Sequence, residues 1–169
     1  MMRQIGEYNF IMDDINEKII DEYGWTIEKQ PHNCIYLLYH YKQSNGVFIT
    51  IKFHRLISGA TTIKDGLVYN LPVIVDHKDR NTLNNVVSNL RFSTKSQNAM
   101  NSKVPTDNTS GYKGVSWKLD KKKWKAYLTL NGKQFHLGYF DKIEDAIEAR
   151  IKGARSIFGE FFAEEIEVK

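Results

Sequence analysis

The sequence predicts an α+β protein of two modules joined by a short linker. Three observations carry this. Runs rich in β-branched and aromatic residues recur with turn residues between them; two short helical patterns carry N-capping residues; and residues 101–111, NSKVPTDNTSG, gather Pro, Gly, Asn, Ser, Thr and Asp without apolar periodicity. At 169 residues with 41% hydrophobic content, the chain can bury one modest core or two small ones.

Before the linker, FIMDD, CIYLLYHY and VFITIKFHRLI have strand composition, with SNG as turn chemistry between the last two, and INEKIIDEY reads as a short helix. This N-terminal segment, 1–53, is expected to be a β-rich platform with Trp25, Ile27, Leu37 and Phe48 in its core. PVIVDH, a polar loop KDRNTLNNVVSN and LRFST form a strand, loop, strand unit. TKSQNAMN follows, with Thr94 or Ser96 as N-cap, which places Asn98 in the first turns of a helix. After the linker, YKGVSWK, KWKAYLTL and QFHLGYF read as an antiparallel meander, with Asn131-Gly132 as a hairpin signal. DKIEDAIEARIKGARSIFG then opens with Asp141 and Glu144 as a capping box and shows an apolar side of Ile143, Ala146, Ile147, Ala154 and Phe158. The predicted divisions are 1–53, 54–101, the linker 102–111, 112–162, and a solvated acidic tail at 163–169.

Charge is uneven along the chain. Residues 1–30 carry seven acids and three bases, whereas 101–136 carry eight lysines and two aspartates, so the second stretch suits a polyanionic partner. Cys34 is the lone cysteine, which excludes a disulfide framework or a cysteine-ligated structural zinc and fits a reducing, intracellular, cytoplasmic setting. The N-terminus has no signal-like apolar run and no stretch approaches the roughly 20 residues that span a bilayer, so no membrane is expected.

The chemistry centres on Asp76, His77 and Asn98. Phosphodiester hydrolysis needs a water deprotonated near neutral pH, a cation to neutralise the phosphate, and a rigid frame. An imidazole titrating near pH 6.5 can take the proton, so His77 is the candidate base. A carboxylate and a side-chain amide suit a hard cation, Mg2+ or another divalent ion such as Mn2+, so Asp76 and Asn98 are the candidate metal ligands. Asn89 is expected to hydrogen-bond across the loop and keep His77 aimed.

HRLI at 54–57, VDHKDRNTLNN at 75–85, NLRFST at 89–94 and QNAMN at 97–101 resemble HNH endonucleases of the ββα-metal fold, particularly the phage and intron homing type. The resemblance implies His77 as general base, Asp76 and Asn98 on the metal, Asn89 as structural and a phosphate contact from Arg55, whereas the residues alone allow Arg55 or His54 to be a satisfied side chain on a half-buried strand. The family usually has glycine where Arg80 stands.

In KKWKAYLTL, alternation puts Trp124, Ala126, Leu128 and Leu130 on one face, against the helix, and Lys123, Lys125, Tyr127 and Thr129 on the other, where lysines can hold phosphates and polar tips can reach bases. SGYKGVSW, KKWKAYL, FHLGYF and the closing FGEFF resemble an AP2 DNA-binding domain over 110–162. That resemblance implies DNA contacts from Lys113, Ser116, Lys118, Lys125, Tyr127, Thr129, Gln134 and His136. Arginines that many relatives use there are missing, which softens guanine reading.

The expected function is a metal-dependent endonuclease acting on double-stranded DNA as a monomer, without a small-molecule cofactor, leaving 5′-phosphate and 3′-hydroxyl ends. The resemblance implies a protein encoded by a phage or intron and acting in a host cell. The rival reading is a non-catalytic DNA-binding regulator in which the HNH-like part is a scaffold.

Overall fold

Gly6, at φ +59, turns the first strand back on itself, so β1 (Met2–Ile5) and β2 (Tyr8–Met12) form an antiparallel hairpin. A 3-10 turn and helix α1 (Glu17–Glu22) follow, then an antiparallel sheet of β3 (Thr26–Gln30), β4 (Cys34–Lys42) and β5 (Phe48–Lys52). Phe10, Met12, Ile20, Ile35, Leu37 and Phe53 bury one core here, with Trp25 and Ile27 packed at its margin. Phe48, expected inside, is 67% exposed: it lies at the end of an outer strand opposite Lys42, whose ammonium covers its ring at 5.7 Å.

The computed structural model describes residues 1–31, 34–102, 104 and 108–162; the acidic tail at 163–169, His32 and part of the predicted linker lie outside these. The chain divides into two compact units, Met1–Ser93 and Thr94–Lys169. Both mix small sheets with few helices, the α+β class that the sequence predicts.

The strand expected over 47–57 stops at Lys52. Residues Phe53–Ile57 form helix α2, which turns Phe53 and His54 inward. Phe-His-Arg-Leu has no β-branched residue to hold it extended, and burial of Phe53 in the first core decides the matter. A further hairpin, β6 (Thr61–Lys64) and β7 (Leu67–Asn70), escaped the sequence reading although Asp65-Gly66 signals it; both residues have positive φ, as a type I′ turn requires.

Strand β8 (Ile74–His77) pairs antiparallel with β10 (Leu90–Ser93), bringing Leu90 opposite His77 and Arg91 opposite Asp76. Between them a two-residue strand, β9 (Asn84–Asn85), runs parallel to β2, with Asn85 beside Met12. Val75, Leu90 and Ala60 close a small core beneath this pair.

In the second unit, helix α3 (Lys95–Asn101) starts at a complete capping box: Gln97 N–H donates to Thr94 Oγ1, and Thr94 N–H donates to Gln97 Oε1. Strands β11 (Val115–Lys118), β12 (Lys123–Leu130) and β13 (Lys133–Phe140) form the expected meander, with Asn131 and Gly132 both at positive φ in the turn. Ala126 and Leu128 are buried against helix α4 (Ile143–Phe158), as the alternation predicts. Asp141 does not cap α4. The N-cap is Lys142 without a side-chain hydrogen bond, because strand register carries Asp141 alongside Lys123, with which it pairs at 3.2 Å.

Gly114 is the tightest point of this unit. At φ +76, a Cβ there would lie 2.4 Å from Tyr127 O and 2.5 Å from Arg150 Nε. Gly114→Ala is therefore expected to destabilise the protein by about 2–4 kcal/mol, through left-handed strain and overpacking together. Urea unfolding of the variant measures this; a loss no larger than that of an exposed glycine substitution would show that the site relaxes.

Candidate active site

Strand β8 ends in Asp76 and His77, both buried, where the chain leaves the sheet for a polar loop. The strand end resolves the problem of two neighbouring residues pointing to opposite sides. Arg80 N–H bonds to His77 O at 3.0 Å, closing a tight turn directly after the pair. Arg80 itself stands at φ +62, a conformation that favours glycine. The backbone shape that a glycine would give is thus kept, at some steric strain.

The loop is held by a carboxylate and its amide neighbours. Asp79 Oδ1 accepts from Asn81 N–H at 2.9 Å and from Asn89 Nδ2 at 2.9 Å, and Asp79 Oδ2 accepts from Asn84 Nδ2 at 2.7 Å. Asn89 also accepts from Asp79 N–H at 3.1 Å and donates to Asn84 O at 2.8 Å. Burial opposes ionisation of Asp79, but the hydrogen bonds from Asn81, Asn89 and Asn84 outweigh it and hold the carboxyl below its ordinary range. Asn89 thus spans the loop from base to base.

The His77 ring meets a residue that sequence reasoning missed. Asn85 Oδ1 lies 3.4 Å from His77 Nε2, and Asn85 Nδ2 donates to Thr82 O and Leu83 O, both at 3.3 Å, which fixes the amide with its oxygen towards the imidazole. The parallel pairing of β9 with β2 anchors Asn85, and Val87 N–H donates to Asp13 Oδ2 at 2.7 Å. The N-terminal segment therefore sets the position of His77's partner. The NN at 84–85 closes the VDHKDRNTLNN motif, but only the tertiary pairing distinguishes Asn85 from Asn84.

Two further rings pack here. His54 lies 5.2 Å from His77, centroid to centroid, and Tyr36 lies 5.3 Å from His54. Burial pushes the Tyr36 phenol up to about 12, with Cys34 contributing, so it remains a neutral donor. Burial also lowers His54 to about 3, helped by the charges of His77, Lys52 and Arg55. It lowers His77 below 6.5, offset in part by the Asn85 hydrogen bond and the charges of Asp79 and Asp76.

A stability effect follows for His54. It is protonated in the unfolded chain below about pH 6.5 but neutral in the fold down to about 3, so the unfolded state binds more protons between those values. Its neutral burial contributes fully above pH 6.5, and stability should fall as pH drops towards 3, by up to about 1.4 kcal/mol per pH unit. Urea unfolding at neutral and acidic pH should show this slope, reduced in His54→Phe. An unchanged slope in that variant would assign the acid sensitivity elsewhere.

Asp76 is met across the strand pair by Arg91, whose Nε donates to Asp76 Oδ2 at 2.9 Å, with both side chains about nine-tenths buried. Among the described residues no group of three or more His, Cys, Asp or Glu side chains is placed to hold a metal. The local donors are the Asp76 carboxylate, an imidazole and amides, the Asp79 carboxylate being taken up by Asn81, Asn84 and Asn89. This set fits a hydrated magnesium-type ion taking one or two protein oxygens rather than a caged structural ion.

The other expected site residues fall as follows. Arg55 directs its guanidinium to the chain itself, donating to Val73 O at 2.7 Å, Leu71 O at 2.9 Å and Ala60 O at 3.3 Å, so it ties α2 to the segment before β8. Asn98 lies on α3, in the second unit. In that unit β12 pairs Lys125 with Ser116, Tyr127 with His136, and Thr129 with Gln134, gathering these on one face, with Lys118 opposite Lys123. Lys125 Nζ donates to Gln134 Oε1 at 2.5 Å and lies 5.0 Å over the Tyr127 ring. Tyr139, not anticipated, stacks 4.4 Å from His136 and carries Lys121 at 4.2 Å. Lys113 bends back to the end of α3, where its Nζ donates to Ala99 O at 3.1 Å, to Ser102 Oγ at 3.0 Å and to Ser102 O.

An acid and a histidine closing one strand of a pair, with an asparagine pinning the loop between, is the pattern of a nuclease family. The family model described as HNH endonuclease matches residues 52–100, a span that holds Asp76, His77, Asn89 and Asn98. The chain belongs to the HNH endonuclease family. Its relatives include Protein 3.8 of Escherichia phage T7, 36% identical over 87 residues, which are 52% of this chain and 71% of the relative. They also include an uncharacterized HNH endonuclease of Acanthamoeba polyphaga mimivirus, 31% identical over 158 residues, 94% of this chain and 74% of the relative. No solved structure matches significantly. The family points to a nuclease acting on DNA, and HNH nucleases generally use divalent metal ions. No helix among the described residues is long and apolar enough to cross a membrane.

Proposed function

We propose that this protein is a homing-type HNH endonuclease that hydrolyses duplex DNA with a divalent metal, magnesium or manganese, and binds its target through an AP2-like C-terminal module. The observation that carries the reading is the buried Asp76-His77 pair at the end of β8, with Asn85 on the imidazole and Asn89 spanning the loop.

With its amide fixed, Asn85 Oδ1 can only accept, so His77 Nε2 carries the hydrogen and the lone pair of the neutral ring sits on Nδ1. Nδ1 is the atom that takes the proton from the attacking water. Burial favours the neutral ring, so the base is ready at neutral pH. Asp76 and, by its place in the motif, Asn98 are the proposed oxygen ligands of the metal. That ion, when bound, supplies positive charge to the phosphate and the leaving 3′ oxygen. Asn89 and Asp79 keep the loop after His77 in one shape, so the base does not have to be ordered by substrate.

The lysine-bearing face of the three-stranded sheet is the proposed DNA surface, with Ser116, Lys118, Lys125, Tyr127, Thr129, Gln134 and His136 towards the groove. One such site per chain favours nicking by a monomer. Supercoiled plasmid incubated with the full chain and magnesium should be converted to nicked circles bearing 5′-phosphate and 3′-hydroxyl ends, and a chelator should stop the reaction. Binding of duplex with no cleavage under any divalent cation would instead identify a DNA-binding regulator.

A further inference from the structure

Strand β11 pairs with β12 only as far as Ala126, and a cavity of about 350 Å³ opens beside the remainder of β12, within the second unit. Its lining brings cations from three places: Lys95 on α3, Lys113 before β11, and Arg150 on α4. Arg150 is 6% exposed, and its side chain takes the space that Gly114 leaves by having no Cβ. Thr129 adds a hydroxyl, and Ser96 Oγ, at the rim, donates to Asn131 Oδ1 at 3.0 Å and accepts from Asn131 N–H at 2.7 Å. Tyr127 N–H is directed to Gly114 O on this side of β12, so Thr129, two residues on, turns its backbone N–H the same way. Among the described residues that line the cavity there is no aspartate or glutamate.

Lys95 and Arg150 line this concavity beside the apolar Ala99 and Met100, and Lys113, its ammonium turned to the end of α3, adds to a positive potential there. Arginine and lysine with hydroxyls and a backbone N–H are the donors that a tetrahedral, multiply charged oxyanion takes. The space far exceeds one water molecule, which needs roughly 30 Å³. Tyr127 and Thr129 belong both to this lining and to the face proposed for DNA, so the cavity opens beside the track that a duplex would follow.

We propose that this cavity is a phosphate-binding site that seats one backbone phosphate of the DNA held on the outer face of the sheet. The DNA source rests on the binding role proposed for that sheet; the phosphate chemistry does not. Lys95 and Arg150 supply charge, the Thr129 hydroxyl and backbone edge supply hydrogen bonds, and Lys113 joins the site to the end of α3. A duplex so held is fixed along its axis by a contact that reads no base, which suits a surface poor in arginine.

The test uses the full chain, with backbone amide shifts followed by NMR. Inorganic phosphate, against chloride at equal ionic strength, should shift the amides of Ser96, Gly114 and Thr129, and a short duplex should shift the same amides. Lys95→Glu should weaken duplex binding about tenfold and reduce the slope of log affinity against log salt by about 0.9, one phosphate contact, whereas Lys152→Gln, outside the cavity, should change binding much less. Phosphate shifts with duplex affinity unchanged in Lys95→Glu would overturn the DNA source and leave a site for free phosphate or a nucleotide. A duplex that binds without moving these amides, with phosphate also silent, would overturn the site while the DNA-binding role stands. Phosphate shifts without any duplex binding would support the site and overturn that role instead.

Discussion

Replacing His77 with alanine should lower the cleavage rate by about 10²- to 10⁴-fold, the range that a positioned general base contributes, while leaving duplex affinity nearly unchanged. As the proposed base, His77 acts only as water attacks the phosphate, and its ring is buried beside Asn85, His54 and Tyr36 rather than on the lysine-bearing face, so little binding energy should depend on it. The loss should fall on kcat. The rate in the parent protein should rise with pH through a value below 6.5 and level off above it, because burial lowers the pKa of His77 and only the neutral ring accepts a proton. Single-turnover nicking of plasmid across acidic to neutral pH, beside equilibrium binding, checks both points. Because the ring is buried, His77→Gln provides a variant of closer volume; cleavage near the parent rate in a folded His77→Gln would remove His77 from the role of base.

The second large effect concerns Arg91. Its guanidinium meets Asp76 at 2.9 Å with both side chains about nine-tenths buried, so removing the cation takes the charge of Arg91 away from a buried carboxylate. Arg91→Met is expected to cost about 3–5 kcal/mol of folding stability, several times the cost of losing an exposed pair such as Lys123 with Asp141. Changing both partners, Asp76→Asn with Arg91→Met, should recover much of that loss, because neither charge of this pair is then left buried. Urea unfolding of the single and double variants tests this. A single-variant loss under about 1 kcal/mol would mean that the pair is solvated in practice. Arg91 thus has a part at the site that the motif NLRF does not reveal: it pairs with the proposed metal ligand and balances its charge.

How much of this was legible beforehand varies with the range of the interaction concerned. The strand, loop, strand unit at 72–94, the cap of α3 as one of Thr94 and Ser96, the Asn131-Gly132 hairpin and the buried face of β12 all rest on periodicity or on contacts within a few residues, and each is readable. The hairpin at 61–70 was equally local and was overlooked although Asp65-Gly66 marks it. The failures at 53–57 and at Asp141 are of another kind. There local propensity favoured an answer that burial of Phe53 and the cross-strand position of Lys123 overrode.

The sequence by itself determined the chemistry. An acid and a histidine at a strand end, asparagines at set spacings beyond them, and a lysine-rich alternating sheet are statements about residue type and order, and these specify a nuclease family and suggest the surface proposed for DNA. Tertiary structure alone decided which neighbours make that chemistry workable: Asn85 on the His77 ring through the parallel pairing of β9 with β2, Arg91 on Asp76 through the register of β8 with β10, and Arg55 turned to backbone carbonyls. The physical reason is that hydrogen bonds and ion pairs between residues distant in sequence depend on strand register and burial. Such partners are fixed only when several chain segments close on one another, and no single segment encodes that closure in its own pattern.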